Sequence, residues 1–302
     1  MIVNRDAIRL VFVNLKTTFQ NALQAAPGQY SKIAMVIPSS TKTEDYGWLG
    51  DVPGMREWVG DKVVKSLSAH NYSITNKSYE ATIAVSRDDL EDDITGKYTQ
   101  AATNFGASAA AWPDKLIFNL VNAGFSTPCY DGQYYFDTDH LVDGQSVSNM
   151  GTAPLSVATQ AAAQAGYGAA RTAMMSITNE EGDPLDISPN ILLVHPALED
   201  TARTLMTTDR LEDGKPNLYK GTAEVVVSAR IKNPKSWFLL DTTKSVKPFI
   251  FQQRKAPVFV SQTDMNNDDV FNRAEFKFGI ESRGNAGFAF WQLAYASTGE
   301  GV

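Results

Sequence analysis

The sequence predicts an α+β fold: one long helix laid along antiparallel strands, with a smaller mixed sheet formed by the middle of the chain. Three observations predict it. Tyr98, Ala101, Ala102, Phe105, Ala109, Trp112, Leu116 and Leu120 recur at three- and four-residue intervals, the apolar stripe of an amphipathic helix. Tyr79, Ala81, Ile83 and Val85 alternate with Glu80, Thr82 and Ala84, the period of a half-buried strand. Toward the C-terminus, Phe276, Phe278 and Ile280, then Phe288 and Phe290, repeat the same alternation, so long strands with one buried face are expected to back the helix.

The chain has 302 residues, 43% of them hydrophobic and 20% charged, which suits a globular protein long enough for two subdomains rather than a disordered or membrane-embedded one. A formal net charge of -7 argues against a general nucleic-acid binder, because neutralising phosphate takes clustered Lys and Arg. Its single cysteine, Cys129, excludes an intramolecular disulfide. Arg9 and Lys16 break the early apolar runs, so neither a signal peptide nor a membrane span is expected.

Each element has its own reason. Asn4 can cap a helix carrying Ile8, Phe12, Leu15, Phe19 and Leu23 on one face, which stops near Pro27 and Gly28. This helix suits either a core element or an arm across a neighbour. Ile33 to Ile37 reads as a short strand. Tyr72 and Ile74 are expected to turn back at Asn76 and Lys77 into the strand of residues 78–85 as a hairpin. Asp88, Glu91, Asp92 and Asp93 sit where a helix N-terminus favours negative charge, so the long helix can run from Asp88 to Ala123 with Gly124 beyond it. Pro113 predicts a bend or a break inside it.

Val157 to Ile177 reads as a small-residue helix, Ile191 to Val194 as a strand, and Pro196 as the first turn of a helix with Leu198, Ala202, Leu205 and Met206 inward. Glu224 to Ala229 and Trp237 to Leu240 read as a pair of strands around Asn233-Pro234. Phe249 to Phe251, Pro257 to Ser261, Phe271 to Ile280 and Gly287 to Tyr295 read as strands, the last two joined at ESRGNAG as a hairpin.

The block WLGDVPGMREWVGDKVVKSLSAHNYSITNKSYEATIAVSRDDLEDD, Trp48 to Asp93, resembles the arm-and-spine region of the major head subunits of Mu-like phages and prophages, and the likeness extends more loosely over nearly the whole chain. The resemblance implies a phage capsid protein of the HK97-like fold. Its divisions would be an N-terminal arm over residues 1–44, an extended loop over 45–86, a peripheral domain with the spine helix over 87–150, an axial domain over 151–247 and a return to the peripheral domain over 248–302. The loop from Leu211 to Thr222 would then lie near the capsomer axis. It further implies pentamers and hexamers closing an icosahedral shell around double-stranded DNA that is held only non-specifically. Scaffold and portal proteins would be partners, and the particle would form in the bacterial host cytoplasm, with no membrane, no cofactor and no catalytic site.

On that reading the inter-subunit contacts fall on Trp48, Arg56, Trp58, Tyr72 and Tyr79, because a thin arm cannot bury such side chains alone, and Arg56 can pair with a neighbour's acidic run at Asp88 to Asp93. The rival reading is a soluble hydrolase or metalloenzyme using Asp137, Asp139 and His140 as metal ligands, or Cys129 and His140 as nucleophile and base. An accessory or cement protein of a phage particle is a third. His195 at a strand end reads as a loop histidine satisfied by backbone. Asp264, Asn266, Asp268 and Glu275 mimic a calcium loop, but Asp269 stands where the sharp turn needs glycine, so a solvated acidic loop is expected. No glycine-rich phosphate loop, nucleophile elbow or zinc spacing is present in the sequence.

Overall fold

The computed structural model describes residues 5–25, 28–49, 72–92, 96–179, 181–262, 264 and 267–301. Two sheets organise them. The first is four-stranded, in the order β1 (Ala34–Pro38), β11 (Phe249–Gln262), β12 (Glu275–Phe288) and β4 (Lys77–Ser86). β1 runs parallel to β11, and the other two pairings are antiparallel. The second is five-stranded and mixed, in the order β7 (Met150–Gly151), β13 (Ala294–Ser297), β10 (Trp237–Leu240), β8 (Ile191–Val194) and β9 (Glu224–Val227). Among the described residues, two short ribbons complete the strands: β2 (Thr43–Asp45) with β3 (Ser73–Thr75), and β5 (His140–Val142) with β6 (Gln145–Val147).

The long helix is present with its break displaced. α3 (Arg87–Asp92) and α4 (Lys97–Ala123) are separate helices, and Gly96, at φ 68°, adopts the left-handed conformation that starts the second. Pro113 lies inside an uninterrupted α4. Its ring is buried in the stripe of Ala109, Pro113, Ile117 and Val121, so apolar burial offsets the lost backbone hydrogen bond. That stripe is also rotated from the predicted one: Trp112, Leu116 and Leu120 are only half-buried.

α1 (Arg5–Ala25) carries Phe12, Leu15 and Phe19 to the interior as its spacing predicts, and it packs along α4 of its own chain. The approach is close. A Cβ on Gly106 of α4 would stand 2.6 Å from both the Cβ of Ala22 and the carbonyl oxygen of Phe19. Phe12 meets Phe276 and Phe278 of β12 edge-on at 6.2 and 6.1 Å, so the first helix is tied to the sheet as well as to the spine.

Three strand expectations need correction. β3 and β4 do not form a hairpin: β3 pairs with β2, β4 pairs with β12, and the chain passes straight through Asn76 between them. Asn76 is buried and acts as a joint, donating through Nδ2 to Ser39 Oγ at 2.7 Å and accepting from Gln252 Nε2 at 2.8 Å. ESRGNAG is not a turn either. β12 continues through it, and Gly287 serves close approach: a Cβ there would collide with the end of Ile74. Finally β9 and β10 are not neighbours, because β8 lies between them, parallel to β9 and antiparallel to β10.

Several boundaries also shift. Phe249–Gln262 is one strand with register breaks after Gln253 and Lys255, and the acidic stretch near Asp264 leads into α8 (Asp268–Arg273), whose Val270 is buried among Phe12, Phe276 and Phe278. Residues 157–177 form α5 (Gln160–Ala163), a wider turn over Gln164–Gly168 and α6 (Ala169–Met175), with Thr159 capping the first. His195 accepts the Ala197 N–H at 3.0 Å, the backbone-satisfied role expected of it, and leads into α7 (Glu199–Thr207), whose Ala202, Leu205 and Met206 are buried. The last strand does not stay with β11 and β12. Ala294–Ser297 crosses to the five-stranded sheet, so the C-terminal segment contributes to both sheets.

Candidate assembly surface

The four-stranded sheet is covered on both faces, by different parts of the chain. Phe249 and Phe251 of β11 point to the spine side, where Phe251 meets Trp112 at 5.3 Å. Ile250, one residue between, points the other way and packs with Tyr46, Leu49, Ile74 and Ala289. This second cluster is the root of the arm. Gln252 shares its face and fixes it with three hydrogen bonds: Oε1 accepts from Tyr46 Oη at 2.7 Å, while Nε2 donates to the Ile74 carbonyl at 3.1 Å and to Asn76 Oδ1 at 2.8 Å. Burial drives the Tyr46 phenol well above its ordinary range, so it remains a neutral donor.

From this root the predicted contact residues can be placed. Trp48 is 40% exposed, edge-on to Tyr46 and Phe290 at 6.0 and 6.1 Å. Arg56 and Trp58 lie outside the described residues. Tyr72 is half-buried, and its oxygen accepts the Phe288 N–H at 2.7 Å while burial pushes its pKa up to about 12. Tyr79 leans on Trp112 with ring centroids 5.1 Å apart. The expectation that the nearby chain offers these aromatics little is therefore corrected for Tyr72 and Tyr79, which find partners on β12 and α4. Asp88 and Asp89, proposed as a neighbour's partner for Arg56, are exposed at the start of α3.

A carboxylate organises the turn that feeds the arm. Glu44 Oε1 accepts the N–H groups of Thr41 at 2.9 Å and Ser40 at 2.7 Å and the hydroxyl of Ser39 at 2.8 Å. These bonds, the Thr41 N–H foremost, lower its pKa to about 2. A carboxylate held below its unfolded value contributes order that is complete above about pH 4.5 and fades as pH falls toward about 2. Glu44→Gln is expected to speed amide exchange at Ser40 and Thr41 at neutral pH and to remove the acid dependence of that exchange; unchanged exchange would contradict it.

Of the residues in the rival enzyme reading, Asp137 and Asp139 stay side by side while His140 parts from them. Asp137 caps its own turn, accepting from Tyr134 and Thr138 N–H groups at 3.2 and 2.7 Å, and Asp139 is exposed. His140 points inward instead, to Asp131, whose Oδ2 lies 2.6 Å from its Nδ1, and Asp131 Oδ1 accepts from Cys129 Sγ at 3.1 Å. Cys129 and His140 thus share one carboxylate, Asp131. Burial first, then the Asp131 charge, raises the Cys129 thiol far above a reactive range. It is expected to react with a thiol reagent only as fast as the chain unfolds; rapid modification of the folded protein would contradict this. The sequence missed Asp131 because its approach depends on the tight turn at Gly132, at φ 88°.

Other exposed apolar side chains lie apart from the arm root. Leu10 and Val13 stand on the outer side of α1, Leu141 tips the β5–β6 ribbon, and Leu218 projects from the loop of residues 211–222. That loop is folded down rather than free: Tyr219 rests against Tyr167 at 5.2 Å, and Asn217 donates to the carbonyls of Leu205 and Thr208. Among the described residues no helix is long and apolar enough to cross a membrane.

Comparison with known proteins decides what such a subunit is. The family model described as Mu-like prophage major head subunit gpT matches residues 8–158, 154–231 and 229–300. The chain belongs to this family. It is 34% identical to the major capsid protein of Escherichia phage Mu over 300 residues, 99% of this chain and 76% of that protein. It is 32% identical to the Mu-like prophage FluMu major head subunit of Haemophilus influenzae over 298 residues, 99% of this chain and 75% of that protein. Among solved structures, the procapsid of bacteriophage JBD30 superposes with a TM-score of 0.60 at 32% identity, covering 98% of this chain and 76% of that one. A virus-like particle from Pyrococcus furiosus, with a TM-score of 0.56 at 11% identity, covers 95% and 99% of the two chains and shares the fold alone. The head subunit is therefore an α+β, HK97-like capsid protein, a structural component of the virion that assembles with itself. It is not an enzyme, and the hydrolase, metalloenzyme and accessory-protein alternatives are not favoured.

Proposed function

We propose that this head subunit assembles as pentamers and hexamers into an icosahedral shell around packaged DNA. The likeness to Mu-like head subunits, over 99% of this chain and 76% of the phage Mu protein, carries the reading. The four-stranded sheet with its spine helix would form the peripheral domain and the five-stranded sheet the axial domain, with β13 and β7 crossing the boundary between them. Inter-subunit contact would centre on Trp48, Arg56 and Trp58. Trp48 supports this because a large aromatic remains 40% exposed beside a rigid root. Tyr72 and Tyr79 would contribute only the surface their own chain leaves uncovered. Arg56 would face a neighbour's Asp88 and Asp89.

The mechanism is burial repeated by symmetry: modest interfaces, each made by the same patches on every copy, add up over a closed surface. The acidic balance, at a formal net charge of -7, fits a wall that holds DNA without gripping it. Assembly in the host cytoplasm, with scaffold and portal partners, belongs to the same proposal. Negative-stain microscopy and light scattering of the purified chain, alone and with a co-expressed scaffold, test it. Shells, tubes or five- and six-membered rings are expected; a monodisperse monomer under both conditions would overturn it.

A further inference from the structure

Beyond shell building, we propose that Cys129, Asp131 and His140 form a site for a divalent, sulfur-tolerant metal ion of the zinc class. One donor atom from each lies within 4.8 Å of the others. Cys129 and His140 are buried, at 6% and 0% exposure. The donor set is a thiol, an imidazole and a carboxylate, the types that zinc takes together, and it suits neither calcium nor magnesium. Three features hold it: the Asp131-Gly132 turn, the start of β5, and Trp291, whose ring stacks on His140 at 4.0 Å with the planes 8° apart.

The metal-free arrangement already resembles a site with protons in place of the ion. With a neutral imidazole, the Nδ1–H and the thiol S–H both point at Asp131, whose Oδ1 also accepts the Gln133 N–H at 3.0 Å. Tetrahedral zinc, at bond lengths of about 2.0 to 2.3 Å, separates its ligand atoms by roughly 3.3 to 3.7 Å. The His140–Asp131 pair would open from 2.6 Å by less than about an ångström, and the widest donor spacing, within 4.8 Å, would close by up to about an ångström.

Protons and charge balance. The thiol proton leaves to solvent, the imidazole proton moves from Nδ1 to Nε2, and the dication binds thiolate, imidazole and carboxylate. A buried set with one net negative charge becomes neutral, which lowers its desolvation cost. A route in exists: Asp131 retains 18% exposure and lines a cavity of about 540 Å³ that also touches Tyr130, Leu141, Lys244 and Trp291. Water from this cavity can fill the fourth position. One feature limits affinity. His140 Nε2 is buried without a partner among the described residues, and lack of an outer acceptor weakens a histidine ligand by about 10- to 100-fold.

Cobalt(II) titration of the full chain, after dialysis against a chelator, tests the site. The chain has one cysteine, so a sulfur-to-cobalt charge-transfer band can arise from Cys129 alone. The expected result is that band together with intense tetrahedral d–d bands, saturating at one ion per chain and displaced by zinc. Cys129→Ser should abolish the charge-transfer band while circular dichroism stays unchanged. Absence of the band in the folded wild-type chain would overturn the proposal without recourse to any variant. Weak octahedral bands alone, or binding that survives Cys129→Ser with unaltered spectra, would overturn it as well.

Discussion

Gly106→Leu is expected to cost roughly 4 kcal/mol or more of stability, the largest effect of any single substitution considered, because it separates the first helix from the spine. The added side chain has nowhere to go. Its Cβ alone would stand 2.6 Å from Ala22 and from the Phe19 carbonyl, both backbone-anchored parts of α1. Relief requires α1 to lift, which uncovers Phe12, Leu15 and Phe19, each now buried and each stabilising by about 1.5 to 3 kcal/mol. A urea titration should show a lower midpoint, and limited proteolysis should cut α1 first. An unfolding free energy within about 0.5 kcal/mol of wild type would mean that the helix crossing is looser than the structure shows.

Gln252→Leu should act at the other face of the same sheet. The leucine fills similar space, but it leaves the Tyr46 hydroxyl, the Ile74 carbonyl and the Asn76 amide oxygen without their partner in a buried place. Taken at the low end of about 1 to 3 kcal/mol for each of the three orphaned groups, because the arm root can relax locally, a loss of roughly 3 kcal/mol is expected. The loss should be local, since Gln252 ties the arm root to a sheet that otherwise holds itself. Amide exchange should rise at Tyr46, Ile74 and Asn76 while β8 and β10 keep their protection. Uniform loss of protection across both sheets would contradict that assignment.

Much of this architecture is legible in the sequence, and the failures share a cause. Helical spacing located α1 and α4, and alternation located β4, because both depend only on which residues face inward. Hairpins were misread at Asn76 and at ESRGNAG, where turn-forming residue types serve other ends. Asn76 is a buried hydrogen-bonding joint, and Gly287 makes room for Ile74. Local composition cannot distinguish a glycine that turns the chain from one that admits a neighbour. The arm root is partly visible as aromatic residues needing cover, and Gln252, a polar residue within the apolar run FIFQQ, is the stronger sign of it. Cys129 and His140 are visible in the sequence as chemically notable types, but their shared partner Asp131 depends on the fold of a turn.

We propose that the arm root presents Trp48, and the segment beyond it Arg56 and Trp58, to another copy of the chain. An electron cryo-microscopy reconstruction of the assembled particle tests this most directly. The account predicts these three side chains buried against a neighbouring subunit, with Arg56 beside that subunit's Asp88 and Asp89, while Gln252 keeps its bonds to Tyr46 and Asn76. A reconstruction in which Trp48, Arg56 and Trp58 pack on their own chain or face solvent in the closed shell would contradict it.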